Sequence, residues 1–169
     1  LALTGLVPAT LYHYRAASAD ACGNGPAFSA DDTFMTGPAA LDVSGWILKQ
    51  YSSALTYTLP PGSSIPSGGY LVVGRDAARA QFAAFHTAMP AATVYLDSNA
   101  TGACANGCLP QINGGETFEL YNAAGVKVDG PTIALSTGNA YQRTRPSDPA
   151  GSAASWSSVP RTSANPGQG

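Results

Sequence analysis

The feature that most limits how this chain can fold is its punctuation. Apolar residues come in runs of about four to eight, often alternating with polar ones, and the runs stop at turn formers. The sequence holds 19 glycines and 13 prolines among 169 residues. Segments broken so often are too short for long helices but suit strands, whose side chains alternate between two faces. A 44% hydrophobic content supplies a packed core, whereas 11% charged residues is far below the usual level of about 25%. Many short strands joined by turns predict an all-β sandwich, and the length allows one or two domains.

Charge excludes some partners. The formal net charge is −2, and eight Lys and Arg residues are scattered over the whole length. Nucleic-acid binders displace phosphate counterions with a basic stripe, which is missing here, so no nucleic-acid partner is expected. Nor is there a polybasic patch for a membrane surface. No apolar run approaches the roughly 18–20 residues that span a bilayer. Low charge with abundant Ser, Thr and Gly fits a secreted, extracellular or cell-surface protein.

Residues 1–37 form a first segment. Tyr12, Tyr14, Ala16 and Ser18 alternate with His13 and Arg15, which predicts a half-buried strand. A turn over 20–25 leads to a second strand around 32–36. The order Leu6-x-Pro8-x-Thr10-x-Tyr12, then Asp20-Ala21-x-Gly23-Asn24, then Thr33-Phe34-x-Thr36 resembles the last two strands of a fibronectin type III domain. The resemblance places Tyr12 at the tyrosine corner, whose hydroxyl ties back to the chain upstream. Two strands cannot bury a core alone, so this partial module is expected to lean on the next one or on residues beyond the sequence.

The second segment, 38–169, reads as strands at 41–48, 55–59, 70–73, 93–96, 116–121, 126–129 and 139–143. A short helix is expected near 77–86, capped by Asp76, with Phe82 and Phe85 on its inner face. Tyr70-Leu71-Val72-Val73 suits a strand buried on both sides, and the tail from Pro146 reads as irregular, anchored by Trp156. Four motifs in order resemble the lamin tail domain, an immunoglobulin-like β-sandwich also found in bacterial secreted proteins. They are Leu41-Asp42-Val43-Ser44-Gly45-Trp46, Ile65-Pro66-x-Gly68-Gly69-Tyr70-Leu71-Val72-Val73, Ile112-Asn113-Gly114-Gly115-Glu116-x-Phe118-x-Leu120-Tyr121 and Gly125-Val126-x-Val128-Asp129. Arg143, Trp156 and Asn165-Pro166-Gly167 fit the family's closing pattern, extending the likeness over 39–169. The family opens with two strands ahead of the first motif. Thr36-Gly37-Pro38 runs almost directly into Leu41 here, so roughly two dozen residues are expected to be lacking at the junction. Tyr12, Trp46, Tyr70, Phe118 and Trp156 are the expected structural core.

Groups for chemistry are sparse. The sequence has no Gly-x-Ser-x-Gly elbow, no His-Glu-x-x-His and no phosphate-binding Gly-x-x-x-x-Gly-Lys. His13 and His86 read as surface histidines, and Glu116 and Glu119, three apart on a strand, point to opposite faces. Asp97-Ser98-Asn99-Ala100-Thr101-Gly102 has oxygen groups at alternate positions, like the start of a calcium loop, making Asp97, Asn99 and Thr101 candidate ligands. Cys108 stands where such a loop needs its bidentate acid, so a plain turn is the favoured reading and no cofactor is expected. Asn99-Ala100-Thr101 is also a formal N-glycosylation acceptor. Cys104-Ala-Asn-Gly-Cys108 can turn tightly enough to close a disulfide; free thiols and a metal site are the alternatives, and Cys22 is expected to be a buried thiol. Tyr51 and Tyr57 are candidate surface contacts.

With no catalytic constellation, the first expectation is a non-catalytic structural, adhesion or protein-binding module. Lamin-tail-like modules also accompany secreted nucleases and phosphoesterases, so an accessory domain is a second. A filament subunit assembled by strand exchange, with self-assembly through donated strands, is a third.

Overall fold

The computed structural model describes residues 3–19, 21–22, 25–51, 53, 55–100, 109–164 and 166. Strands dominate, with one short helix, and the chain divides into two compact units, Leu1–Ala40 and Leu41–Gly169. The division falls three residues beyond the boundary expected at 37/38.

The first unit is a hairpin in two pieces. Strand β1 (Leu11–Tyr14) pairs antiparallel with β4 (Asp32–Met35), and β2 (Ala17–Ser18) with β3 (Ala27–Phe28). The single strand read through 12–18 is therefore interrupted at Arg15–Ala16. The cause is a side chain standing in for the ladder: Ser29 Oγ accepts from the Ala16 N–H at 3.0 Å, while the Ser29 N–H donates to the Ala16 carbonyl. Pairing of Tyr12 with Phe34 stacks their rings at 5.6 Å, and Tyr14 packs against the same ring at 6.1 Å. Tyr12 is half-buried, and its hydroxyl accepts from the Val7 N–H at 2.8 Å. Cys22 lies exposed in the turn between β2 and β3, which corrects the expectation of a buried thiol: a hairpin tip has no core to enter.

The second unit is built on a four-stranded antiparallel sheet in the order β12 (Lys127–Asp129), β11 (Phe118–Tyr121), β6 (Ile47–Gln50), β7 (Thr56–Thr58). The register sets Glu119 opposite Lys49 and Leu120 opposite Leu48. Alternation thus puts Phe118, Leu120, Leu48 and Gln50 on one face, and Glu119, Tyr121 and Lys49 on the other. Among the described residues, Val43, Leu59, Met89, Leu109, Phe118 and Ala150 are the buried apolar ones. The expected strand over 41–48 is broken into β5 (Leu41–Asp42), which pairs with β8 (Ser64–Ile65), and β6. Asp42 Oδ1 accepts from the Ser44 N–H at 2.9 Å, and that local turn competes with a continuous ladder. Trp46 leaves the turn half-buried.

Strand β9 (Leu71–Gly74) runs parallel to β10 (Val94–Asp97), and a parallel pair demands a crossover, which carries helix α1 (Arg79–Phe85). Asp76 does not cap this helix. It sits in the left-handed region at φ 46°, and its Oδ1 accepts from Asn99 Nδ2, while Gln81 Oε1 takes the Ala78 N–H at the true N-terminus. Phe82 is half-buried against Tyr95 with 5.2 Å between centroids, but Phe85 is 54% exposed, so the seven-residue helix covers only the first of the two rings, and that one in part. Arg79 fastens the crossover by donating to the carbonyls of Thr93 (2.6 Å), Ala91 (2.7 Å) and Pro90 (3.2 Å). Tyr95 adds a bond to the Ala77 carbonyl at 2.7 Å. Tyr70 corrects a core expectation: it is 43% exposed, because it stands ahead of β9, where the chain leaves the turn over Pro66 to Gly69. β9 itself is half-buried rather than covered on both sides.

The tail is more regular than its composition suggests. Strand β14 (Trp156–Pro160) pairs along its whole length with β13 (Asn139–Arg143). Trp156 is half-buried under the Arg143 guanidinium at 5.3 Å, and its indole N–H donates to the Ala150 carbonyl at 2.7 Å. Arg143 in turn pairs with Asp129 at 2.8 Å, linking this ladder to the end of β12.

Candidate binding surfaces

Most ionisable groups in the second unit are tied into the structure. Glu116 is 8% exposed, and its Oε2 accepts from the N–H groups of Asn113 and Gly114, so the carboxylate closes the Asn-Gly-Gly turn of its own motif. Glu119 is 4% exposed and accepts from the Tyr121 hydroxyl at 2.7 Å and from Lys127 at 3.3 Å. The Tyr121 bond holds the Glu119 carboxyl below the usual range, assisted by Lys127 and opposed by burial. The same bond raises Tyr121. The two glutamates serve separate local networks, as their spacing of three predicted.

The Asp97–Thr101 stretch makes a turn over its described residues. Asp97 Oδ1 accepts from the Asn99 N–H at 2.9 Å, and the Asn99 amide nitrogen is directed to Asp76 at 2.7 Å. Among the described residues no three His, Cys, Asp or Glu side chains gather as metal ligands. Thr101, Cys104 and Cys108 lie outside the described residues, so the third calcium candidate and the disulfide pair have no structural account. His13 is exposed, with Nδ1 2.7 Å from Asp31. Tyr51 is 56% exposed, whereas Tyr57 is half-buried and raised above its ordinary pKa, chiefly by burial.

Two surfaces of the second unit offer contacts among the described residues. Val126 and Val128, 60% and 50% exposed, lie at or beside the edge strand β12. The other is a groove of about 380 Å³ where the end of α1 meets the β13–β14 ladder. Its walls include His86, Asn139, Tyr141, Gln142, Val159 and Arg161. His86 packs against Phe82 and Phe85 at 4.6 and 4.8 Å, and the Arg161 guanidinium lies 5.6 Å from the centre of the Phe85 ring. Burial lowers the His86 pKa and Arg161 adds repulsion, partly offset by a hydrogen bond with the Ala164 backbone. Tyr141 shares a 2.7 Å hydrogen bond with Ser136 that fixes its ring.

Neither Arg79 nor this groove was singled out from the sequence. The one available signal was Phe82-x-x-Phe85-His86, an aromatic cluster ending a helix in a chain short of cations. Its partner Arg161 is 75 residues away from His86 along the chain, and only the β13–β14 pairing reveals it.

No helix among the described residues is long and apolar enough to cross a membrane. Neither the curated proteins nor the solved structures contain a match to this chain. The family model of the Lamin Tail Domain matches residues 35–134, more than half of the chain. The match takes in the first four motifs and ends before Arg143 and Trp156, so it supports the expected likeness over 39–169 only as far as 134. The strand-built architecture agrees with the immunoglobulin-like fold of that family. The chain belongs to the lamin tail domain family.

Proposed function

We propose that this chain is a non-catalytic, extracellular interaction module in which a fibronectin-type-III-like unit precedes the lamin tail domain. The family match carries the interaction reading. Supporting it, the buried carboxylates of Glu116 and Glu119 are consumed by a turn and by bonds to Tyr121 and Lys127, and the one histidine–carboxylate ion pair among the described residues, His13 with Asp31, is exposed. The fibronectin-like assignment of the first unit rests on the Tyr12 hydroxyl, which accepts from the Val7 amide five residues upstream, as a tyrosine corner does. A secreted, bacterial-type setting and a Cys104–Cys108 disulfide belong to the same reading. The partner is a protein or cell surface, engaged along the open β12 edge, where an added strand could hydrogen-bond to the ladder.

The test uses the full chain immobilised against washed cells and a panel of extracellular proteins. Saturable binding that falls at least about tenfold in a Val126→Lys/Val128→Lys double variant, with the unfolding midpoint unchanged, supports an edge-mediated contact. Turnover of a phosphodiester or nucleic-acid substrate by the purified chain would refute the non-catalytic reading. The exposed edge also favours strand exchange between copies as a second reading, which sedimentation at rising concentration would detect.

A further inference from the structure

The groove between helix α1 and the β13–β14 ladder has an unusual balance of charge. The chain carries a net charge of −2, yet among the described residues the groove is lined by Arg161 and His86 and by no Asp or Glu. Arg161 enters no ion pair among the described residues; its guanidinium is held by the Phe85 ring and its backbone N–H by the Gly138 carbonyl. A guanidinium resting on an aromatic face keeps its outer N–H groups in a planar fork, the geometry that receives a carboxylate through two parallel bonds. Around it is apolar surface from Ala140, Val159 and Pro166, the first two paired across the β13–β14 ladder. Gln142, on the same face as Ala140 and Val159, adds a side-chain amide able to donate and accept. Few polar groups converging on an apolar floor, in a cavity of about 380 Å³, is the composition of a small-ligand site.

We propose that this groove binds a carboxylate carried on a compact apolar body, with Arg161 receiving the carboxylate and Ala140 and Val159, opposite each other on one face of the ladder, packing on the body. A free organic acid and the carboxyl end of a peptide present the same chemistry. The inference does not rest on the interaction reading above, which concerns the β12 edge; either can fail without the other.

The experiment is an NMR titration of the full chain, following the amides of Gln142 and Arg161 and the His86 ring. Five probes suffice: benzoate, its neutral analogue benzamide, acetyl-Ala-Phe with a free carboxyl, the same peptide as its amide, and inorganic phosphate. Saturable shifts at these residues with an acid, at least about tenfold weaker with the matching amide, are the expected result. Binding of benzoate alone identifies a free acid as the ligand class; binding of the peptide acid alone identifies a chain end. Arg161→Gln should weaken binding by at least about tenfold, and Arg161→Lys by less. If a variant fails to fold, the comparison of acid with amide in the unaltered chain still decides. Equal shifts from acid and amide, shifts confined to other regions, or a response to inorganic phosphate without one to carboxylates would overturn the proposal.

Discussion

Replacing Gly130 by alanine adds one methyl group where the chain leaves β12 and passes the start of β11. Gly130 has φ 94°, and a Cβ there would lie 2.5 Å from the Phe118 carbonyl oxygen and 2.9 Å from Glu119 Cα. Both are backbone atoms of the central sheet, so no rotamer change relieves the contact. The same carbonyl accepts from the Thr132 N–H at 2.9 Å, a bond that any displacement would strain. A left-handed conformation costs an alanine about 1–2 kcal/mol, and overpacking adds about 1–3 kcal/mol, for a loss of about 2–5 kcal/mol. Gly125 supplies the control. Its φ is 75°, but a Cβ there meets nothing within 4 Å, so Gly125→Ala should lose only the conformational part, about 1–2 kcal/mol. Urea unfolding of the two variants, fitted with a common m-value, measures the difference. Stabilities agreeing within about 0.5 kcal/mol would refute the close approach of β12's end to β11.

Other substitutions examine other joints. Arg79→Met removes the side-chain donor from three carbonyls of the 90–93 loop, of which, among the described residues, only Pro90 keeps another, the Thr93 N–H; it should cost about 1.5–3 kcal/mol and speed amide exchange around Val94. Tyr12→Phe removes the acceptor for the Val7 N–H, with an expected loss of about 0.5–1.5 kcal/mol from the first unit and faster exchange of the Val7 amide. Because Glu119 is lowered in the folded state, its stabilisation is complete above the ordinary glutamate pKa and lost as pH falls through the depressed one; Glu119→Gln should flatten the acid limb of stability against pH. Alkylation of the non-reduced chain under denaturing conditions should modify one cysteine if Cys104 and Cys108 are bonded, and mass spectrometry counting three labels would dismiss that bond.

The sequence exposed the strands whose patterns are strongly local. Asn139–Arg143 matches its expected limits, and the alternation around Tyr12 and around Phe118 placed those rings on packed faces. It concealed whatever depended on a distant partner. Ser157-Ser158-Val159 has little strand character by itself and becomes β14 because β13 presents an edge. The break at Ala16 needed Ser29, and the break after Asp42 needed its own carboxylate to outcompete the ladder. Asp76 had the right composition for a helix cap and was drawn to Asn99 instead. Groove chemistry was hidden for the same reason, since His86 and Arg161 meet only after the tail pairs back.

Interstrand proton–proton contacts between β6 and β11, read by NMR on the full chain, test the lamin tail fold at its centre. Hα–Hα contacts in the antiparallel register running from Phe118 opposite Gln50 to Tyr121 opposite Ile47 are the expected result. A register displaced by one residue would turn Phe118 to the polar face and Glu119 into the core, and observing it would contradict the account.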